Sequence, residues 1–473
     1  MSSSDANKTR VNVIPVVETM PADLLTPLSV YLKLSATAKN SFLLESVEGG
    51  KSLARYSFIG ADPESVLDAR SEDTFEYLKT HFAELQAVSD ADLPAFIGGA
   101  IGYLGFDCSG WFEPYLRQEN TTVKDAAFMF FRSTVAFDHA KQVIKIISLV
   151  FTDEAADDED LHKLYNEASE RNREIKERLE HGALSIPTNT DKAQNSAVSS
   201  NWEREDFESA VTEIKELINA GEAYQVVLSQ CFTKQTNASP VAIYRAIRSI
   251  NPSPYMFLLQ FEDKAIVGAS PEMLVRCEND RLEYRPIAGT RPRGKTTAED
   301  EALAEEMRCD KKEVAEHLML VDLGRNDLGR VAEYGSVKVD TLMSVEKYSH
   351  VQHLVSSLSA KLRRGLDRFD ALAACFPAGT VTGAPKVRAI EIIRNLEPTP
   401  RGVYAGAVGY FDYAGNMDTC IAIRTLVLEN GVAKIQAGAG IVADSVPALE
   451  FEETVNKARV LLKAIEIAES GSV

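Results

Sequence analysis

In roughly the first third of the chain, apolar positions come mostly in short runs bounded by turn residues, which predicts strands more often than helices. Residues 11–17 read as an extended segment and 24–34 as a helix. SFLLES (41–46) and residues 52–59 read as paired strands around Glu48-Gly49-Gly50. In GGAIGYLGF (98–106) the glycines stand at 98, 102 and 105, so the GxGxxG spacing of a dinucleotide loop is missed and a tightly packed turn is the simpler expectation. Residues 135–137 and 143–151 flank Asp138-His139-Ala140-Lys141 as a hairpin. From 153 to 181 the period lengthens, with Leu161, Leu164, Ala168, Ile175 and Leu179 on one helical stripe and charges on a solvated face.

Residues 183–200 are small and polar without period, a linker or long loop. Beyond them, 204–220 is amphipathic and stops at Gly221. Three hairpins then announce themselves by their turns: Asn279-Asp280, Ala414-Gly415-Asn416 and Asn430-Gly431. Successive hairpins, rather than strand–helix–strand alternation, predict an α+β fold with mostly antiparallel sheets. The expected organisation is an amino-terminal region (10–182), the linker (183–200) and a carboxy-terminal region (201–470). No internal repeat is visible.

At 473 residues and 45% hydrophobic composition the chain can bury a large core. No apolar run approaches the roughly 18 residues that span a bilayer, and MSSSDANKTRVNV lacks a signal-peptide core, so a cytoplasmic protein is expected. The six cysteines form no CxxC pair and read as buried thiols rather than a zinc site or disulfide framework. A formal charge of −19 disfavours nucleic acid and acidic membranes as partners, and an anionic substrate would need locally placed cations.

GTRPRGKT (289–296) fits the phosphate-loop pattern GxxxxGK[ST], yet the chemistry is wrong. Pro292 removes one of the N–H groups that such a loop aims at phosphate, and five acidic side chains lie within residues 297–306. The LMLVD run (318–322) that would accompany it reads as the continuation of a helix.

That helix carries Glu313 and Glu316, spaced to share one face. The same spacing recurs at Glu450 and Glu453 in AGAGIVADSVPALEFEETVNK (437–457), where Gly438-Ala439-Gly440 reads as a small-residue turn open to a ligand. Ser445 or Asp444 can cap the following helix, Pro447 suits its first turn, and Lys457 continues the acidic stripe. Either pair alone is most simply two surface glutamates. Together, beside a glycine turn, they suggest Mg²⁺ held next to an anionic ligand.

PIAGTRPRG (286–294), KKEVAEHLMLVDLGRNDLGRV (311–331), VQHLVS (351–356), FPAGTVTGAPK (376–386) and AGAGIVADSVPALEFEET (437–454) resemble the chorismate-utilising enzymes, most nearly the component I family of anthranilate synthase. The resemblance covers residues 201–462 and extends weakly into the first half through LLES and GGAIGYLGF. It implies the chorismate-binding fold, with antiparallel sheets flanking helices in a layered sandwich, and conversion of chorismate and ammonia to anthranilate and pyruvate. In that reading Glu316 and Glu453 bind Mg²⁺ directly, with Glu313 and Glu450 outside them or acting through water. Tyr404, Arg424, Lys457 and the backbone of Gly438, Ala439 and Gly440 hold the substrate carboxylates, while Gly289, Thr290 and Thr380 contact the ring.

The same resemblance makes Glu272 the acid that protonates the departing C4 hydroxyl, and His353 the base that takes a proton as pyruvate leaves. His350 is a decoy nearby. Gln225 stands where water-adding relatives have lysine, and Ala288 where many aminodeoxychorismate synthases have lysine; aminodeoxychorismate synthase component I is the nearest rival. A different class, a tryptophan-binding scaffold without activity, would be supported only by the regulatory segments. In these, Glu45 and Ser46 are expected to bind the polar end of L-tryptophan, while Pro254, Tyr255 and Met256 line a slot for its indole. Ammonia is expected from a glutamine amidotransferase partner, in a heterotetramer, since no cysteine here sits on a nucleophile turn.

Overall fold

A computed structural model describes residues 12–46, 55–69, 73–88, 90–117, 126–184, 196–348 and 351–471. The Glu48-Gly49-Gly50 turn, His350 and most of the 183–200 segment lie outside them. Two sheets, of 12 and 10 strands, organise the chain, and their pairings are antiparallel throughout. The short spans between apolar runs, set by the turn residues, make this possible. Asn279 and Asp280 (φ 50° and 63°) close the hairpin of Met273–Glu278 with Arg281–Tyr284. Asn430 and Gly431 (φ 51° and 74°) close that of Thr425–Glu429 with Val432–Ile441. Positive φ at both central residues gives the twist that a two-residue hairpin needs, and Asn, Asp and Gly tolerate it best.

The regions before and after residue 200 interleave. In the larger sheet Ser41–Glu45 pairs with Tyr255–Gln260, and in the smaller sheet Gly99–Leu104 pairs with Ala407–Asp412. Each sheet is therefore completed by strands from both regions. One core cluster joins the sheets face to face through Phe42, Phe58 and Ile266 on one side and Ile101, Met129 and Tyr410 on the other. The larger sheet's opposite face is covered by helices Pro27–Ser35, Pro240–Ile250 and Pro447–Glu469. Ala458, Leu461, Ala464, Ile465 and Ala468 form the buried stripe of the last helix. Burying each of the larger side chains contributes about 1.5–3 kcal/mol, which fixes the helix against the strand Val432–Ile441.

Several expectations are corrected. GGAIGYLGF is not a turn: Gly99–Leu104 is a strand, and a Cβ at Gly102 would lie 1.9 Å from the Ala127 carbonyl oxygen of its neighbour. The Gly438-Ala439-Gly440 run is not a turn either, but lies within Val432–Ile441, paired with Gln225–Gln235. The helix after it begins at Pro447 with Val446 at its cap, so neither Asp444 nor Ser445 caps it; the Ser445 hydroxyl instead accepts from Val442 N. Of the cysteines, Cys108, Cys277, Cys375 and Cys420 are buried, Cys231 is half-buried, and Cys309, ending a helix beside Glu305, is exposed. GTRPRGKT is a strand through Pro292 and then a loop whose Gly294 N–H donates to Asp300 (2.8 Å), so acid occupies the place a phosphate would take. Among the described residues no helix is long and apolar enough to cross a membrane.

Candidate active site

Twice the chain passes from the larger sheet to the smaller one, or back, near one point between them. Pro271 and Glu272 follow Lys264–Ser270 and precede Met273–Glu278; Ala422, Ile423 and Arg424 follow Met417–Ile421 and precede Thr425–Glu429. The crossings are tied together by Ile421 N–H donating to Glu272 O (3.0 Å) and Ala269 N–H to Arg424 O (3.1 Å). Arg424 holds φ at +50°, a costly conformation for a long side chain and one that recurs at functional sites. Around this point lies a cavity of about 230 Å³. Its walls include Glu272, Gly289, Thr290, Glu316, His353, Thr380, Tyr404, Arg424, Gly438, Gly440, Glu453 and Lys457. Of the residues expected to act there directly, only Ala439 is turned away, its methyl buried in the core on the opposite face of its strand.

Burial pushes the Glu272 carboxyl up to about 8, against smaller opposing effects of Thr380 and the Ile287 backbone. Glu272 Oε1 and Thr380 Oγ1 lack hydrogen-bond partners of normal geometry. At neutral pH this carboxyl carries its proton and can donate it.

His353 lies across the cavity on Val351–Lys361, paired with Thr290. The register slips between Ala288 and Thr290, and Gly289 takes φ +62°, a bulge that turns its carbonyl to His353 Nδ1 at 2.9 Å. A carbonyl only accepts, so Nδ1 carries the proton and Nε2 has its lone pair free. Burial, with a smaller contribution from Arg424, lowers the imidazole's pKa and keeps it neutral. Acid and base are therefore poised in opposite states within one cavity.

Two of the four glutamates meet here. Glu316 is raised chiefly by burial, then by Glu313, and also by Glu453 across the gap. Glu313 is held by Arg291 at 3.0 Å, and Glu450 by the Ser445 hydroxyl. Among the described residues no three carboxylate, histidine or cysteine side chains converge on a metal position. Mg²⁺ commonly takes only one or two carboxylates and fills its other positions with water and substrate oxygens. Glu316, which has no ion pair among the described residues, and Glu453, whose single cationic partner among them is Lys457, leave carboxylate oxygens for such an ion.

The same cavity also holds two cations, Arg424 and Lys457. The Arg424 guanidinium makes no hydrogen bond or ion pair with the described residues, although burial lowers its pKa. A half-buried cation without a partner among the described residues suits an anionic ligand, and the planar fork suits a carboxylate. Lys457 Nζ donates to Gly438 O (2.9 Å) and Glu453 (2.6 Å), and the Tyr404 phenol lies against Gly438. Gly438 thus presents its backbone at the cavity edge of a strand. A Cβ there would lie 2.8 Å from Tyr404 Oη, and one at Gly440 would lie 2.4 Å from Gln225 Nε2. Absence of side chains, not a turn, is what these positions require.

The family model for chorismate binding enzymes matches residues 39–463. This chain belongs to the anthranilate synthase component I family of chorismate-binding enzymes. It is 45% identical to anthranilate synthase component 1 of Acetivibrio thermocellus, over 97% of this chain and 96% of that one. It is 44% identical to a probable anthranilate synthase component 1 of Schizosaccharomyces pombe, over 98% and 95%. The crystal structure of anthranilate synthase component I from Streptococcus pneumoniae superposes with a TM-score of 0.73 at 36% identity, covering 94% and 99% of the two chains. A menaquinone-specific isochorismate synthase from Escherichia coli shares the fold, with a TM-score of 0.72 at 20% identity over 97% and 96%.

In this family member a second cavity, of about 270 Å³, lies where the two sheets face each other. Glu45, Ser46, Pro254, Tyr255 and Met256 all line it. Ser46 Oγ is buried without a partner among the described residues, whereas the Glu45 carboxylate is engaged by Tyr244 and by Arg248 at 3.4 Å. Arg276 and Asp418, paired at 2.6 Å, complete its wall with Tyr255 bonded to Asp418. Sequence reasoning missed these two, and it missed Gln436 and Val381 in the first cavity. No motif marks them; strand parity beside Gly438 could have found Gln436, two residues earlier on the same face.

Proposed function

We propose that the chain converts chorismate and ammonia to anthranilate and pyruvate in the cavity between the sheets. The observation that carries this reading is the protonated Glu272 facing a cavity with a neutral His353 and an unpaired Arg424. Arg424, Lys457, Tyr404 and the Gly438 backbone receive the enolpyruvyl carboxylate. Mg²⁺, held by Glu316 and Glu453, would neutralise and fix the ring carboxylate. Ammonia forms its bond to C2 while both ring double bonds shift and the C4–oxygen bond breaks, and the added nitrogen then gives up its extra proton to solvent. Glu272 supplies the proton with which that oxygen leaves as water. His353 Nε2 then takes the proton from C2, the C3–oxygen bond breaks and the ring becomes aromatic; the departing enolpyruvate takes up a proton on its methylene carbon to become pyruvate.

The second cavity is proposed to take L-tryptophan as a feedback inhibitor, with its polar end at Ser46 and its indole between Pro254, Tyr255 and Met256. Strands Met273–Glu278 and Met417–Ile421, which carry Arg276 and Asp418 in its wall, lead directly into the crossings that hold Glu272 and Arg424. A ligand that shifts either strand therefore acts on the acid and the substrate cation together. In the cell, ammonia would come from a glutamine amidotransferase in a cytoplasmic heterotetramer. The amino-terminal region (10–182) is proposed to serve regulation and the carboxy-terminal region (201–470) catalysis.

Purified chain with chorismate, Mg²⁺ and an ammonium salt tests the reaction by anthranilate fluorescence. Fluorescence that needs all three components is expected; its absence while chorismate is consumed, or while tryptophan still binds, would refute the assignment.

A further inference from the structure

Beyond the acid, base and carboxylate-binding groups, the first cavity contains one polar side chain whose orientation is fixed from outside it. Glu397 and Arg401 form a buried ion pair at 2.6 Å, with side chains 3% and 1% exposed. Glu397 Oε1 accepts from both Ser229 N (2.9 Å) and Ser229 Oγ (2.7 Å). A carboxylate held by arginine only accepts, so the Ser229 hydroxyl spends its proton on Glu397. Its oxygen must then accept from the Gln436 amide at 2.8 Å, so Nε2, not Oε1, lies on the Ser229 side. Arg401 also donates to Val381 O and Val227 O (2.7 Å each), tying two further cavity walls to the same pair.

The consequence falls on the other end of the amide. Gln436 is 7% exposed and lines both this cavity and an adjoining one of about 400 Å³, with Tyr404 as their other shared side chain. Its Oε1 accepts no hydrogen bond from the described residues, yet it is not sealed from solvent as an orphaned buried atom would be. A locked carbonyl oxygen, with no donor among the described residues, is thus offered at the boundary of the reaction cavity. Of the substrate's polar groups, the carboxylates accept and do not donate, so they cannot satisfy this oxygen, and the C4 hydroxyl is placed at Glu272 by the reaction assigned above. Ammonia can: an N–H donates to Oε1 while the nitrogen lone pair stays free to attack.

We propose that Gln436 is the positioning residue for ammonia, held in register by the chain Arg401–Glu397–Ser229. This rests on the reaction assigned above. In ammonium-dependent turnover, Gln436→Met keeps the side-chain length and removes the acceptor. It should raise the KM for ammonium about tenfold, the loss expected of one hydrogen bond of about 1.4 kcal/mol, with the KM for chorismate within about twofold of wild type. If Gln436→Met does not fold, Gln436→Asn, which withdraws the carbonyl by one methylene, carries the same expectation. An unchanged ammonium KM in the folded variant, or a rise in chorismate KM alone, overturns the proposal. A wild-type chain that makes no anthranilate with ammonium refutes the underlying reaction, and this proposal with it, before any variant is compared.

Discussion

Replacing Glu272 with glutamine keeps the shape of the side chain and removes the proton it delivers. With its pKa near 8, the buried carboxyl is protonated in roughly nine molecules of ten at pH 7, whereas an ordinary glutamate at 4.5 would be protonated in about one of 300. Burial between the sheets thus multiplies the acid form about 300-fold. The working form is the protonated one, so the sign is clear: activity is retained below pH 8 and falls about tenfold per pH unit above it. A stopped-flow or steady-state pH profile of kcat should show this alkaline limb. Glu272→Gln should lower kcat by about 10²–10⁴ at pH 7 and abolish the limb, with chorismate binding preserved. A variant with near-normal kcat, or one that keeps the same limb, would show that the proton comes from elsewhere.

Further outcomes follow from the same geometry. Glu316→Gln and Glu453→Gln should stay folded but need a much higher Mg²⁺ concentration for turnover, read by metal titration; undiminished activity at low Mg²⁺ would remove either from the metal site. His353→Ala should slow pyruvate release more than it weakens chorismate binding, and a wild-type kcat would remove its role as base. Ser46→Phe projects a ring into the second cavity and should relieve tryptophan inhibition, whereas an unshifted inhibition curve would count against that site. Glu397→Ala leaves Arg401 buried without its counter-charge and should cost about 3–5 kcal/mol in denaturant unfolding; a loss below 1 kcal/mol would mean that water reaches the guanidinium.

What the sequence discloses about this fold is local. Asn279-Asp280 and Asn430-Gly431 mark their hairpins because the turn chemistry lies in adjacent residues. The glutamate pairs are visible because three residues of helix bring both carboxylates to one face. Partners distant in sequence decide the rest. Glu313 and Glu316 look equivalent in KKEVAEH, yet Arg291 occupies one and leaves the other in the cavity. Gly438 and Gly440 resemble a turn because smallness is legible while its cause, Tyr404 Oη above one and the Gln225 amide above the other, is not. Likewise the polar segment before residue 200 suggests separate regions, although Ser41–Glu45 and Gly99–Leu104 each pair with a strand from beyond it, one in each sheet. Gln436 carries no motif, and its orientation depends on a relay that begins at Arg401.

The central claim is that one cavity both aminates the ring and eliminates its enolpyruvyl group. The most direct measurement is the product balance of the purified chain with chorismate, Mg²⁺ and ammonium, following anthranilate, pyruvate and chorismate in the same sample. The account predicts one anthranilate and one pyruvate for each chorismate consumed. An aminated product formed without pyruvate would contradict it and would assign the chain the chemistry of the aminodeoxychorismate synthases.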